Sequence, residues 1–307
     1  MASGVSVIIP TRDRGRLLLE AVRSAVQAPT PAAEVIVVDA GSTDGSVEAL
    51  AEFGAAVRVV HGGGNAARSR NVGAAAASCE FLGFLDSDDV MLEGKTTCLV
   101  DALDADAGAA LVHGATEVID EGGVFLPDES RAQRASFAKG ERLGTSYASI
   151  AEFSAMFTSA TLMRRSALFS VGGYDETLDA YEDWDLYLRL SLRWRLAYAP
   201  GCLATRYRIW AGNVGWRRTA GWTARVAEKH LAALPDLPPA ERERARYGLL
   251  RRVAFSRHIL VERAPARRAA LAAVRIAPRT ALRDAEIRRP LLRSFLPARM
   301  LQARRPA

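Results

Sequence analysis

Four short apolar runs, rich in β-branched residues and spaced by helical patterns, constrain this chain most. Residues 5–9 (Val-Ser-Val-Ile-Ile) stop at Pro10, and residues 35–38 (Val-Ile-Val-Val), 57–60 (Val-Arg-Val-Val) and 81–85 (Phe-Leu-Gly-Phe-Leu) follow. Between them, residues 17–26, 46–53 and 66–77 read as helices. Short apolar strands alternating with helices are joined by crossovers and covered on both faces. The pattern therefore predicts an α/β fold with a mostly parallel central sheet flanked by helices. Ligands bind such sheets beyond the carboxyl ends of the strands. Here those ends lead into Thr11-Arg12-Asp13, residues 39–45 (Asp-Ala-Gly-Ser-Thr-Asp-Gly), residues 62–65 (Gly-Gly-Gly-Asn) and residues 86–89 (Asp-Ser-Asp-Asp), four loops predicted to share one rim.

The fourth loop puts Asp86, Asp88 and Asp89 within four positions. Carboxylates so close repel one another and are costly to desolvate. Two readings compete: a divalent cation bridging a diphosphate, or a solvated acidic turn that caps the next helix. Oxygen-only ligands suit Mg²⁺ or Mn²⁺ rather than Zn²⁺. Asp39, at the second strand end, suits a ribose hydroxyl or a base N–H, or equally an Asx-turn. Arg68-Ser69-Arg70-Asn71 near a helix start can meet phosphate, or sit on the surface. Farther on, Glu182, Asp183 and Asp185 crowd the start of a helix over residues 182–192. They either complement the helix dipole or supply a general base for an acceptor hydroxyl. Trp184 either stacks on a sugar or packs in the core. Residues 62–67 match G-x-G-x-x-A, but after the third strand rather than the first, which argues against a nicotinamide or flavin site. His61, His113, His230 and His258 show no ligand spacing and read as structural or exposed.

Beyond residue 110 the pattern loosens. Residues 110–113, 117–119, 160–163, 196–199 and 204–209 read as strands, residues 124–126 as a return strand after a turn, and residues 127–148 as polar loop. After Arg217 the composition turns to Ala, Leu and Arg, cut by prolines into short helices. Such a tail is either a set of helices with a solvated basic face or a surface for an anionic membrane. The net charge of +6 suits anionic partners, although few aromatics interleave with the arginines, so no nucleic acid is expected. Three widely spaced cysteines give neither a disulfide framework nor metal spacing, which suits a reducing compartment. The absence of a basic segment followed by an apolar run near the N-terminus predicts no secretory leader. No apolar run approaches the roughly 20 residues of a membrane span. The expectation is a cytoplasmic protein, soluble or peripheral on the cytoplasmic face of a membrane.

In order along residues 4–210, the segments Val-Ser-Val-Ile-Ile-Pro-Thr, Val-Ile-Val-Val-Asp-Ala-Gly-Ser-Thr-Asp-Gly-Ser, Ser-Arg-Asn-Val-Gly, Phe-Leu-Asp-Ser-Asp-Asp, Val-Gly-Gly-Tyr-Asp-Glu and Glu-Asp-Trp-Asp-Leu resemble the family 2 glycosyltransferases. The resemblance implies the Rossmann-like, nucleotide-sugar-binding A-type fold and inverting transfer from a nucleoside-diphosphate sugar, by family default a UDP-sugar, to an acceptor hydroxyl of a glycan, a lipid-linked glycan or a metabolite. The expected organisation is a catalytic domain over residues 1–215, with a nucleotide-binding half at 1–110 and an acceptor half at 111–215, and, outside the resemblance, an Arg-rich helical extension over 216–307. Pro10, Thr11 and Asp13 would line the base pocket, Asp39 would meet base or ribose, and Arg70 the nucleotide. Asp86, Ser87 and Asp88 would form the DxD motif, with Asp88, Asp86 and Asp89 as metal ligands to Mn²⁺ or Mg²⁺. Asp183 would be the base, with Glu182 and Trp184 near the acceptor. Two positions depart from the family pattern: Ala40 where a second acid is frequent, and Trp210 where many members carry His. A nucleotidyltransferase would need a glycine-rich, lysine-bearing loop near the first strand, and residues 11–16 lack the lysine. The retained acids argue against a catalytically silent sugar-nucleotide-binding or scaffold protein.

Overall fold

A computed structural model describes residues 2–28, 32–209 and 216–294; Trp210 lies outside these. The first half alternates as its sequence predicts: β1 (Ala2–Thr11), α1 (Arg16–Val26), β2 (Glu34–Asp39), β3 (Val57–His61), α2 (Ala66–Ala76) and β4 (Cys79–Phe84). There follow β5 (Val90–Met91), α3 (Lys95–Asp104), β6 (Ala109–Ile119), α4 (Pro127–Leu143), α5 (Tyr147–Glu152), β7 (Thr161–Arg164), α6 (Arg165–Ser170), α7 (Glu182–Leu190) and β8 (Arg195–Arg208). The eight strands form one sheet in the order β3-β2-β1-β4-β7-β6-β8-β5. Pairs β1·β2, β1·β4, β2·β3 and β6·β8 are parallel, and antiparallel β7 sits between β4 and β6. The core lies on β1, β2 and β4 and under α1, where Val7, Ile9, Leu18, Val22 and Val37 are almost fully buried.

Five expectations are corrected. The stretch at 46–53 is a 3-10 segment, Glu48–Ala56, interrupted at Gly54. The two strands expected within 110–119 are one, β6, and those within 196–209 are β8, continuous through register shifts. Residues 124–126 form only a bridge, Ile119 to Phe125. Residues 127–148 are largely helical. Pro127 opens α4 where a missing N–H costs nothing, and Asp128 and Glu129 face the positive end of its dipole.

A second compact unit comprises Ala151–Phe153 and the chain from Val214 onward. Its helices are α8 (Trp216–Ala232), α9 (Pro239–Ile259), α10 (Arg263–Ile276), α11 (Pro278–Arg283) and α12 (Ala285–Ser294). Three of its prolines mark helix starts rather than breaks: Pro238 and Pro239 open α9 and Pro278 opens α11. Because no proline falls between Pro239 and Pro265, α9 runs for 21 residues rather than as a short helix. No helix among the described residues is long and apolar enough to cross a membrane.

Candidate active site

The strand ends do share a rim. Thr11 is level with Asp39, Asp39 with His61, and Ile8 with Phe84. The first two loops are tied together there. The Asp13 amide donates to Ser42 Oγ at 3.0 Å, the Thr43 amide to Asp13 Oδ1 at 2.7 Å, and the Gly15 amide to Asp44 Oδ2 at 2.8 Å. Asp13 reaches this position with φ of 49°, a left-handed conformation that Asp tolerates better than most residues. Asp39 Oδ1 accepts from the Ser42 amide at 2.9 Å and the Ser42 hydroxyl at 2.6 Å. Burial pushes its carboxyl up, yet the bonds from Ser42 and His61 outweigh that and hold it below its ordinary value. Pro10 is half-buried, and Thr11 is buried with no hydrogen-bond partner for its hydroxyl among the described residues.

The acid loop is a tight turn, closed by the Asp89 amide on the Asp86 carbonyl at 3.0 Å. It caps no helix, because β5 follows directly and α3 begins behind Gly94. Ser87 and Asp89 are buried, while the Asp86 and Asp88 side chains are 37% and 16% exposed. Each acid has its own partner. Asp86 Oδ1 accepts from Arg70 Nη2 at 2.7 Å, Asp88 Oδ2 lies 3.8 Å from Arg14 Nη1, and Asp89 Oδ1 accepts from the Arg208 amide at 3.0 Å. Burial, then Asp86 and Asp88, push the Asp89 carboxyl well above its ordinary value. Among the described residues no three His, Cys, Asp or Glu side chains gather to hold a metal by themselves. The donor set nevertheless fits a hard cation whose remaining ligands are phosphate oxygens, since Mg²⁺ in such sites takes only one or two carboxylates from the protein.

Three supports of this turn carry no sequence signal. Ser159 Oγ accepts from the Asp86 amide at 3.0 Å. Lys95, buried below, donates to the Ser159 carbonyl at 2.6 Å; burial depresses its ammonium to about 8 against the pull of Cys202, Asp89 and Asp86. Arg208, also buried, donates through Nε to the Asp88 carbonyl at 2.9 Å and through Nη2 to Glu20 at 2.8 Å. A lysine at a helix start and an arginine at a strand end look ordinary until folding brings them beneath the acids.

The second acidic group is brought up by α2. Gly73 lets this helix lie close on β1: a Cβ there would sit 2.3 Å from Ile8 Cγ2. Asn65 caps α2 through the Arg68 amide at 3.0 Å and donates to the Glu176 carbonyl at 2.8 Å. Asn71 holds Tyr174 from both sides, accepting from its amide at 2.8 Å and donating to its carbonyl at 2.9 Å. The Gly-Gly-Tyr-Asp-Glu segment is thus a clasp that fixes the approach to α7. Tyr181 then turns the chain with φ of 60°, a strained conformation of the kind that clusters at functional sites.

Arg70 joins the two acidic groups. Its guanidinium is buried, bonded to Glu182 through Nη1 and to Asp86 through Nη2, while Nε has no partner among the described residues. Burial alone would lower its affinity for the proton, but Asp86 and Glu182 raise it. Asp183, half-buried, accepts from Thr158 Oγ1 at 3.3 Å and from the Trp184 amide at 2.7 Å. Burial and the neighbouring Glu182 push its carboxyl up to about 7, with Arg70 pulling the other way. Trp184 is 5% exposed and donates to the Ile150 carbonyl at 3.0 Å, which places it in the core rather than beside an acceptor. Among the histidines, His113 is structural: Nε2 accepts from the Phe157 amide at 2.8 Å, and burial lowers its pKa to about 3.

The comparisons bear on the family and the fold that carry this geometry. The profile of the family described as "Glycosyltransferase like family 2" matches residues 6–234. "Glycosyltransferase GlyG" of Streptococcus pneumoniae is 35% identical over 104 residues, covering 32% of this chain and only 35% of that protein. Among solved structures, Staphylococcus aureus TarS 1-349 in complex with UDP-GlcNAc superposes with a TM-score of 0.66 at 18% identity, over 95% of this chain and 89% of that one. The mannosyltransferase PcManGT from Pyrobaculum calidifontis, in complex with GDP-Man and Mn²⁺, gives 0.60 at 19% identity, over 96% and 85%. At such identities these two show the fold. With the family profile matched over most of its length, the chain belongs to the family 2-like glycosyltransferases.

Proposed function

We propose that this chain is an inverting, metal-dependent glycosyltransferase that moves a sugar from a nucleoside-diphosphate sugar, first a UDP-sugar, to an acceptor hydroxyl in glycan, polysaccharide or glycolipid biosynthesis. The observation that carries it is Asp183. Its carboxyl stands near 7 and lies beside Glu182, which one buried arginine ties to the acidic turn. A base is most effective when its pKa lies near working pH. UDP-GlcNAc on TarS and GDP-Man with Mn²⁺ on PcManGT support the donor class and the cation.

In this reading Pro10, Thr11, Asp13 and Asp39 receive the nucleoside, and the orphaned Thr11 hydroxyl gains a partner. Asp86, Ser87 and Asp88 face the sugar-diphosphate. Asp88 and Asp86, the more exposed acids, are the first candidates to hold Mn²⁺ or Mg²⁺, with Asp89 behind them. A cation there would offset charge on the departing diphosphate. Arg70 orients Asp86 and Glu182 rather than contacting the nucleotide. The acceptor hydroxyl gives its proton to Asp183; its oxygen bonds to the anomeric carbon from the face opposite the diphosphate. The carbon–oxygen bond to the diphosphate breaks, so configuration inverts.

Thermal melting with UDP and Mn²⁺ tests the donor half. The expected result is a stabilisation whose metal-dependent part Asp88→Ala removes; no response to any nucleoside diphosphate with metal would refute the reading. Asp183→Asn should keep that stabilisation while transfer falls by about 10²–10⁴-fold, the usual worth of a general base.

A further inference from the structure

Three consecutive helices of the second unit repeat one surface pattern. An arginine stands three residues before an exposed leucine: Arg268 before Leu271 on α10, Arg279 before Leu282 on α11, and Arg289 before Leu292 on α12. Residues three apart on a helix are neighbours on one face, so each leucine has a guanidinium one turn back. The leucines are 39%, 55% and 61% exposed. The three helices pack on one another, and α10 and α12 also on α9; Ala266, Ala269, Ala270 and Ala273 of α10, Ala281 of α11 and Ile287 of α12 are buried. Their outward sides therefore carry leucine and arginine together.

The charge on this side is not balanced locally. Residues 263–294 contain two carboxylates, Asp284 and Glu286, and both lie 3.5 Å from Arg251 on α9. Arg268, Arg275, Arg279, Arg283, Arg289 and Arg293 have no ion-pair partner among the described residues. A surface that only needed solubility would pair such charges or avoid exposed leucines. Guanidinium groups beside protruding aliphatic side chains match the interface of an anionic bilayer, with arginine at the phosphates and leucine at the acyl boundary. Single-stranded nucleic acid would call for stacking platforms, and α10–α12 contain no aromatic residue.

We infer that the outward face of α10, α11 and α12 is a docking surface for anionic phospholipid, holding the protein peripherally on a membrane. This goes beyond the transferase reading and does not depend on it. The test is co-sedimentation of the full-length protein with vesicles of phosphatidylcholine, with or without phosphatidylglycerol, in the absence of donor, acceptor and metal. Binding is expected only with phosphatidylglycerol, weakening as salt rises. Arg268→Gln, Arg275→Gln and Arg279→Gln together should lower partition by roughly a hundredfold, at about fivefold for each arginine. Leu271→Ser with Leu282→Ser should leave melting unchanged and release protein at salt concentrations the native chain withstands. If the arginine variant melts early, Arg283→Gln with Arg289→Gln and Arg293→Gln takes its place. Equal binding to neutral vesicles, unchanged binding of the folded arginine variants, or displacement from vesicles by an RNA oligonucleotide would overturn the inference. Failure here with an intact UDP–Mn²⁺ response would leave the transferase reading standing, and the reverse result would leave this one.

Discussion

Asp183 is pulled two ways by its surroundings. Burial and Glu182 raise its carboxyl from an ordinary value to about 7, so between about pH 4 and pH 7 the folded chain holds a proton that the unfolded chain releases. The stabilising contribution is complete below the unfolded value and is lost as pH rises through the folded one. With Asp183 as the proposed base, transfer would need its ionised form and should climb over the upper part of the same range. Asp183→Asn has no such titration, so melting temperatures of the two proteins should diverge in the variant's favour from about pH 4 to about pH 7; parallel curves would show that the raised value is wrong. At this scale the carboxylates of Asp183, Asp86 and Asp88 stood out in the sequence, but not their wiring. Carboxylates in a short run are visible in one dimension. That Arg70 is buried between two of them is not, because its partners stand 16 and 112 positions away.

At the scale of elements, α2 decides how the site is assembled. It carries Arg70 and Asn71 and lies on β1 only because position 73 has no side chain. Gly73→Ala would gain up to about 1 kcal/mol of helix propensity. Against that, a methyl 2.3 Å from Ile8 and 3.0 Å from Val38 overpacks the core, at a cost of about 1–3 kcal/mol. The net expectation is a lower denaturant midpoint, and weaker UDP binding as Arg70 is lifted from Asp86. The repeating strands were legible because each is a continuous apolar run. Helix α4 was not: of its 17 residues only Ser130, Phe137 and Gly140 are buried, too few to set up a helical period. Its Gly140 instead answers Tyr198, whose ring would collide with any larger side chain. Strands β6 and β8 read as halves because Gly114 and Gly201 interrupt their apolar patterns, although the backbone ladder continues past both.

For the whole molecule, composition marked the change near residue 216 but not the three residues that the helical unit takes from the middle of the chain. Ala151–Phe153 belong to that unit. Arg244 pairs with the Glu152 carboxylate at 2.7 Å, Arg251 donates to its carbonyl, and Gly248 leaves so little room that a Cβ would come within 2.7 Å of Glu152 Cα. A chain cut after residue 215 loses all three partners. It is expected to express with lower soluble yield and to be cleaved within about residues 150–154 by limited proteolysis, whereas a clean two-domain junction would survive intact. The same threading bears on descent. Recombination at residue 215 could not exchange the helical unit as a cassette, because the incoming helices would have to accept a short segment inherited from the other parent. The two parts of this gene are therefore expected to have diversified together.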